Sequence, residues 1–327
     1  MTADSHPPKP RNRLSSSAEE HENARLLLEV LDKHSVLHEQ LDQVIDVQVG
    51  SAISGDDKAT YPLSTSSYVR YLLLASADNL AAIRSMIVSE ETHTNLELTL
   101  HPFAPYTLLR NALETAGTAL WIIAPASRKE RVLRTAKLEY ADADLSKAAL
   151  NSLGSTDQET YNRRINLIKE MIRPYLEITW KDVTNYGVTG LLREIGKLPN
   201  LAQVRPLAKW QICSGMAHGK RWAGLLLSDM EEVGEPTTDG DGTFRLSGSY
   251  KHLLMLTHNA VAMQVEAMRL LEQRCTAHHR MPKPTFSQVW LNPSAIMDFA
   301  LLRPRPRTGP ELDYSALLPR PHSGALQ

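Results

Sequence analysis

The sequence predicts an all-α fold, a multi-helix bundle with a small β-hairpin or long loop inserted near residues 230–249. Three observations predict it. Apolar residues recur at helical spacing through most of residues 17–280. Prolines and glycines fall where such segments start or stop: Pro105, Pro125, Gly154 and Gly219. Only Met230 to Ser249, rich in glycine, aspartate and threonine, breaks the pattern, and the run Asp239-Gly-Asp-Gly242 reads as a hairpin turn.

Residues 1–16 hold prolines, serines and charges with almost nothing apolar, a composition expected of a disordered segment. Ser17 and Glu20 have the spacing of a capping box, and Leu26, Leu27, Val30, Leu31, Leu37, Leu41, Val44 and Ile45 follow with helical period. Gly50 to Pro62 reads as a loop. A second helix spans about 64–88. The third lies between Pro105 and Pro125, because proline suits a first turn and stops a helix that meets it later. The fourth, charged, covers about 127–150 and ends at Gly154, and the fifth covers about 157–176. A short helix surrounds Leu191, and the next carries Cys213–Trp222. Tyr250 to His279 forms a last long helix. Residues 281–327 concentrate prolines and the run RPRPR, as a surface or disordered tail would. The helical domain is therefore 17–280.

The totals exclude several classes. The formal net charge is −1, so no global field draws the chain to nucleic acid or anionic lipid, although basic residues could cluster locally. The two cysteines, Cys213 and Cys275, form no disulfide framework in 327 residues, which suits a reducing, cytoplasmic setting. The N-terminus lacks the apolar core of a secretory signal, and no apolar run reaches the length of a membrane span. Nucleotide-binding glycine motifs, the Glu-x-x-His spacing of di-iron bundles and paired zinc-ligand spacings are missing, so neither cofactor nor metal is expected.

The polar residues on the helices are the functional candidates. The second helix is apolar nearly all round, so Asp78 on it should be buried and either paired or protonated. On the third, Arg110, Glu114 and Thr118 follow at i, i+4 and i+8 with Trp121 beside them, as an intrahelical ion pair or one wall of a polar cleft. Tyr106 lies in that helix's first turn. Arg128, Arg131 and Arg134 spread over one side of the fourth helix, as a solvated face or an anion site. In CSGMAHGKRW, Ser214 and His218 stand one turn apart, which could make a nucleophile and its base. The competing reading is a helix end, with His218 near the C-terminal dipole, Gly219 in the left-handed cap position, and Lys220 and Arg221 adding charge. Trp222 closes the stretch. Tyr106, Arg131, Arg134 and Trp222 are the binding candidates; Asp78, Arg110, Glu114, Ser214 and His218 are the catalytic ones.

The pair of motifs R-x-x-x-E (Arg110, Glu114) and S-x-x-x-H-G (Ser214, His218, Gly219) resembles a broad group of uncharacterised bacterial all-helical proteins over about residues 65–275. The resemblance implies a helical fold and no particular chemistry. The R-x(4–6)-H mark of HEPN ribonucleases is met by Arg245/His252 and Arg274/His279, at the frequency of about two or three hits that chance yields for this composition. The sequence thus supports a regulatory or defence-linked interaction module that binds a protein or a small anion and could self-associate. The alternatives are a metal-free hydrolase or HEPN-like ribonuclease, with His218 as general base, Asp78 or Glu114 orienting it and Arg110 stabilising negative charge, and an anion sensor built on Arg110, Arg131 and Arg134.

Overall fold

The computed structural model describes residues 18–42, 46–91, 96–155, 157–232 and 244–277. The segments expected to be disordered at 1–16 and to form the tail at 281–327 lie outside the described residues, as do Ser17, Val44 and Ile45. The chain is mostly helical, as expected. In order it forms α1 (Ala18–Asp42), α2 (Ala52–Thr60), α3 (Thr65–Ile87), β1 (Val88–Glu91), β2 (Leu96–Leu98), α4 (Ala104–Ile123), α5 (Arg128–Ser152), α6 (Glu159–Ile172), α7 (Trp180–Thr184), α8 (Val188–Ile195), α9 (Pro206–Ala217), α10 (Arg221–Leu227), β3 (Asp229–Glu232), β4 (Phe244–Ser247) and α11 (Tyr250–Cys275). Each strand pair is antiparallel, with Val88 opposite Leu98 and Met230 opposite Leu246.

The bundle is built around α4. Its residues Leu109, Ala112, Leu113, Ala116, Ala119, Leu120, Ile122 and Ile123 are fully buried, and α3, α5, α8, α9 and α11 all pack on it. Gly117 makes room for this: a Cβ there would meet Leu192, Ile195 and Met263 side chains. Burying each large aliphatic side chain contributes about 1.5–3 kcal/mol. A second, smaller core joins α5, α6 and α7 through Val132, Ala136, Ile168 and Val183. Helix α1 lies along α3 and α11. Its Glu20 accepts from Tyr250 N (2.8 Å) and Ser249 Oγ (3.1 Å), so the carboxylate caps α11. Deeper along the same seam His34 Nε2 meets Gln264 Oε1 at 3.0 Å, and Ser76 Oγ donates to Gln264 Oε1 and to Ala112 O.

Because α4 is buried along its length, its C-terminal carbonyls need partners inside the protein. Three arginines supply them. Arg134 donates to Trp121 O (2.7 Å), Arg274 to Ile123, Ala124 and Pro125 O, and Arg131 to Pro125 and Ala126 O (2.8 Å each). Arg131 also forks onto the carboxylate of Asp56, at 2.6 and 2.9 Å, where neither side chain is more than 3% exposed.

Several expectations need correction. Gly50–Pro62 is not a loop: it contains α2, capped by Ser51 Oγ accepting from Ser54 N. The glycine and the Asp56-Asp57 pair resemble turn composition, but Asp56 faces inward to Arg131, and Asp57 accepts from Ser66 N and the Ser64 and Ser66 hydroxyls. The hairpin β1–β2 and the short helices α7 and α10 were not expected either. The insertion near 230–249, expected as a hairpin or a long loop, contains the antiparallel pair β3–β4, and the expected turn at Asp239-Gly-Asp-Gly242 lies outside the described residues. Asp78 is exposed, so it requires neither a partner nor protonation; Tyr71, two turns before it, is 68% exposed, and the two mark a solvent face on α3. Tyr106 is 2% exposed in the core and inaccessible to a ligand.

Replacing Arg131 with methionine leaves the Asp56 carboxylate buried without its counter-ion. Chemical denaturation should show a loss of about 3–5 kcal/mol, and Asp56→Asn combined with Arg131→Met should recover a large part of it. Equal stability of Arg131→Met and the parent would disprove the clamp.

Candidate functional site

Helix α9 begins at Pro206, after Arg205 in the left-handed region (φ 50°). It ends in a complete Schellman motif. Gly219 N donates to Met216 O (3.0 Å) and Lys220 N to Gly215 O (2.8 Å), with Gly219 at φ 61°. The helix-end reading of the CSGMAHGKRW stretch therefore holds. Lys220 and Arg221 do not decorate that end, however: Lys220 is the N-cap of α10 and Arg221 its first residue.

The same corner also holds a contact between distant segments. Arg110 Nη1, from α4, lies 3.2 Å from His218 Nε2, at the cap of α9. A guanidinium only donates, so Nε2 is the acceptor in this contact. Arg110 also lies over the Trp210 ring, 5.5 Å from its centroid. Glu114 turns away from Arg110 and accepts from Trp210 Nε1 at 2.9 Å. No Arg110–Glu114 ion pair forms, and Arg110 Nε is buried without a hydrogen bond. Arg110 and Glu114 are half-buried and His218 is exposed. Further along α4, Thr118 Oγ1 donates to Glu114 O, and Trp121 Nε1 donates to Glu194, which also receives Arg134.

The structure thus links Arg110 and Glu114 through Trp210, a residue that sequence reasoning does not single out, and His218 joins them through Arg110. Ser214 and His218 make no side-chain hydrogen bond, and Asp78 takes no part, so the nucleophile–base–orienting-acid arrangement is not formed among the described residues. Arg131 and Arg134 are engaged with Asp56, Glu130, Glu194 and main-chain carbonyls, which removes them as a free anion site. Of the chance ribonuclease matches, Arg274 serves the α4 clamp, His252 Nδ1 donates to Leu227 O (2.8 Å), and His279 lies outside the described residues. Trp222 is 47% exposed, with the edge of its six-membered ring resting on Gly215.

Charge compensation differs across the molecule. Arg25, Lys33, Arg84, Arg131, Arg134, Arg164 and Arg269 have carboxylate partners, whereas Lys137 and Lys147 on α5, Lys169 on α6 and Arg274 on α11 meet carbonyls or aromatic rings instead. Around α9 and α10, Arg110, Arg205, Lys209, Lys220 and Arg221 have no carboxylate partner among the described residues. Burial, then the nearby Arg205, holds the Lys209 ammonium below the ordinary lysine range, and its nearest polar contact is Met255 Sδ at 3.5 Å. The signal is present in the sequence. Between Glu194 and Asp229 there is no acidic residue, against Lys197, Arg205, Lys209, Lys220 and Arg221. A whole-chain net charge conceals such a run.

Cavities among the described residues lie elsewhere. A groove of about 710 Å³ runs between α1 and β2, floored by Ala24, Leu28, Leu96 and Leu98, and its rim charges are paired, Arg25 and Lys33 with Glu29 and Asp32 with Arg84. One of about 160 Å³ adjoins Arg134, Glu194 and Leu198. Among the described residues, no cluster of histidine, cysteine, aspartate and glutamate suits a metal ion, and no helix is long and apolar enough to cross a membrane.

Burial pushes the thiols of Cys213 and Cys275 up to about 12, so both are protonated at neutral pH and neither is a poised nucleophile. A disulfide-exchange reagent such as DTNB should label neither in the native protein and both after denaturation; fast native labelling of Cys213 would contradict its placement. No family model, curated protein or solved structure matches this chain, so its function rests on the geometry of the α4–α9–α10 corner.

Proposed function

We propose that this chain is a cytoplasmic regulatory binding module whose recognition face is the corner formed by Arg110, His218, Lys220 and Arg221, and that its partner is anionic. One observation carries the reading. Arg110 is a half-buried cation whose helix neighbour Glu114 is committed to Trp210, and it faces the exposed His218 rather than an acid. An incoming carboxylate or phosphate would complete that guanidinium with charge-assisted hydrogen bonds. It would also meet two further exposed cations, Lys220 and Arg221. The Schellman turn and the stacking on Trp210 hold these groups in place before binding, which lowers the ordering cost of association.

Heparin is a simple probe of such a face. The triple variant Arg110→Ala/Lys220→Ala/Arg221→Ala should elute from a heparin column at clearly lower salt than the parent. The variant Arg163→Ala/Arg173→Ala/Lys181→Ala, which removes the same charge elsewhere, should elute close to the parent. Equal elution of the two triple variants sinks the reading.

A metal-free phosphodiesterase is the second reading, favoured by one contact: Arg110 and His218 are neighbours. A phosphate that drew Arg110 onto itself would free His218 Nε2 as a general base. The expected result is slow cleavage of single-stranded RNA that disappears in His218→Ala with an unchanged melting temperature. RNA left intact by the parent protein rejects this reading without touching the binding one.

A further inference from the structure

Resting on the anionic-partner reading, we infer that the partner is a single-stranded nucleic acid, held with Trp222 as a stacking platform beside the Lys220, Arg221 and Arg110 cations. The observation that separates this from a generic polyanion is the exposed aromatic. Trp222 follows directly on Lys220 and Arg221 and is 47% exposed although large apolar residues are plentiful in the core. It is not loose. Its ring edge abuts Gly215, where a Cβ would come within 2.7 Å of Trp222 Cζ2 and of Ala223 Cβ, so a glycine is needed to seat the indole there. Leu226, one turn on and 45% exposed, extends the apolar strip. An indole fixed on one side, open on another and flanked by uncompensated cations has the two elements that bind single strands without base-specific contacts. These are charges that follow the phosphates and a ring on which a base stacks. An acidic polypeptide would use the cations alone and leave the indole without a planar partner. A double helix keeps its base faces stacked within itself and would use only the cations as well.

The two contributions separate experimentally. Binding of fluorescein-labelled oligo-U and oligo-dT of about 12 nucleotides to the full chain is followed by anisotropy over a salt series, with polyglutamate as a competing ligand. Trp222→Ala should weaken binding roughly tenfold or more while leaving the slope of log K against log salt unchanged, and Trp222→Phe should retain most of the affinity. Lys220→Ala/Arg221→Ala should reduce that slope by about 1.4, at roughly 0.7 for each phosphate no longer neutralised. The oligo-U and oligo-dT arms distinguish RNA from DNA as the source of the strand. Circular dichroism of each variant identifies a failure to fold, and in that event Trp222→Phe carries the test through loss of the tryptophan quenching that stacking produces. If polyglutamate binds as tightly as either oligonucleotide and Trp222→Ala binds both like the parent, the nucleic-acid inference is overturned while the anionic-partner reading stands. If no polyanion binds at low salt, both fall.

Discussion

The fold depends on neutralising the buried end of α4. A helix that packs on five others cannot send its last carbonyls to water, and each one left bare would cost about 1–3 kcal/mol. Arg131 and Arg134 from α5 and Arg274 from α11 converge on that end. Placing several guanidinium groups together in a dry region is itself unfavourable, so Asp56 is brought in from α2 to balance Arg131. One terminus thus fixes the relative positions of α2, α4, α5 and α11. Glu20 at the start of α11 applies the complementary logic at an N-terminus, with a carboxylate from another helix meeting its first amide.

This division gives the arginines of α4 and α5 different meanings. Arg131 and Arg134 are costly to bury and fully occupied, so their charge serves the architecture. Arg110, in the N-terminal half of α4, contacts an aromatic face and the His218 imidazole and meets no acid among the described residues. Residue type is identical in the two settings. What separates a structural cation from one open to a ligand is whether the protein itself supplies the counter-charge.

The corner also shows how a capping motif and a recognition surface coexist. The Schellman turn that ends α9 aims His218 at Arg110, and the same turn starts α10 two residues later, so Lys220, Arg221 and Trp222 emerge beside the pair. Gly215 and Gly219 make this possible in different ways: the first by leaving room for the indole, the second by adopting a left-handed conformation that a side chain would strain.

The sequence by itself determined the helical class, the approximate spans of the long helices α1, α3, α4, α5 and α11, and the ends at Gly154 and Gly219, because periodicity and backbone preference are local properties. It also contained the acid-free run from Ile195 to Ser228, legible to a windowed charge count and lost in the total. Only the tertiary structure decided which polar residues meet. Asp78 looked enclosed because its helix is rich in apolar residues, yet Tyr71 on the same side faces solvent. Asp56 looked like part of a loop, and a guanidinium 75 positions away draws it into the interior. Arg110 and Glu114 have the spacing of an ion pair, but Trp210 offers Glu114 a donor from across the helix interface. Such outcomes are contests between local and long-range partners, and a partner distant in sequence enters the comparison only once the chain has folded.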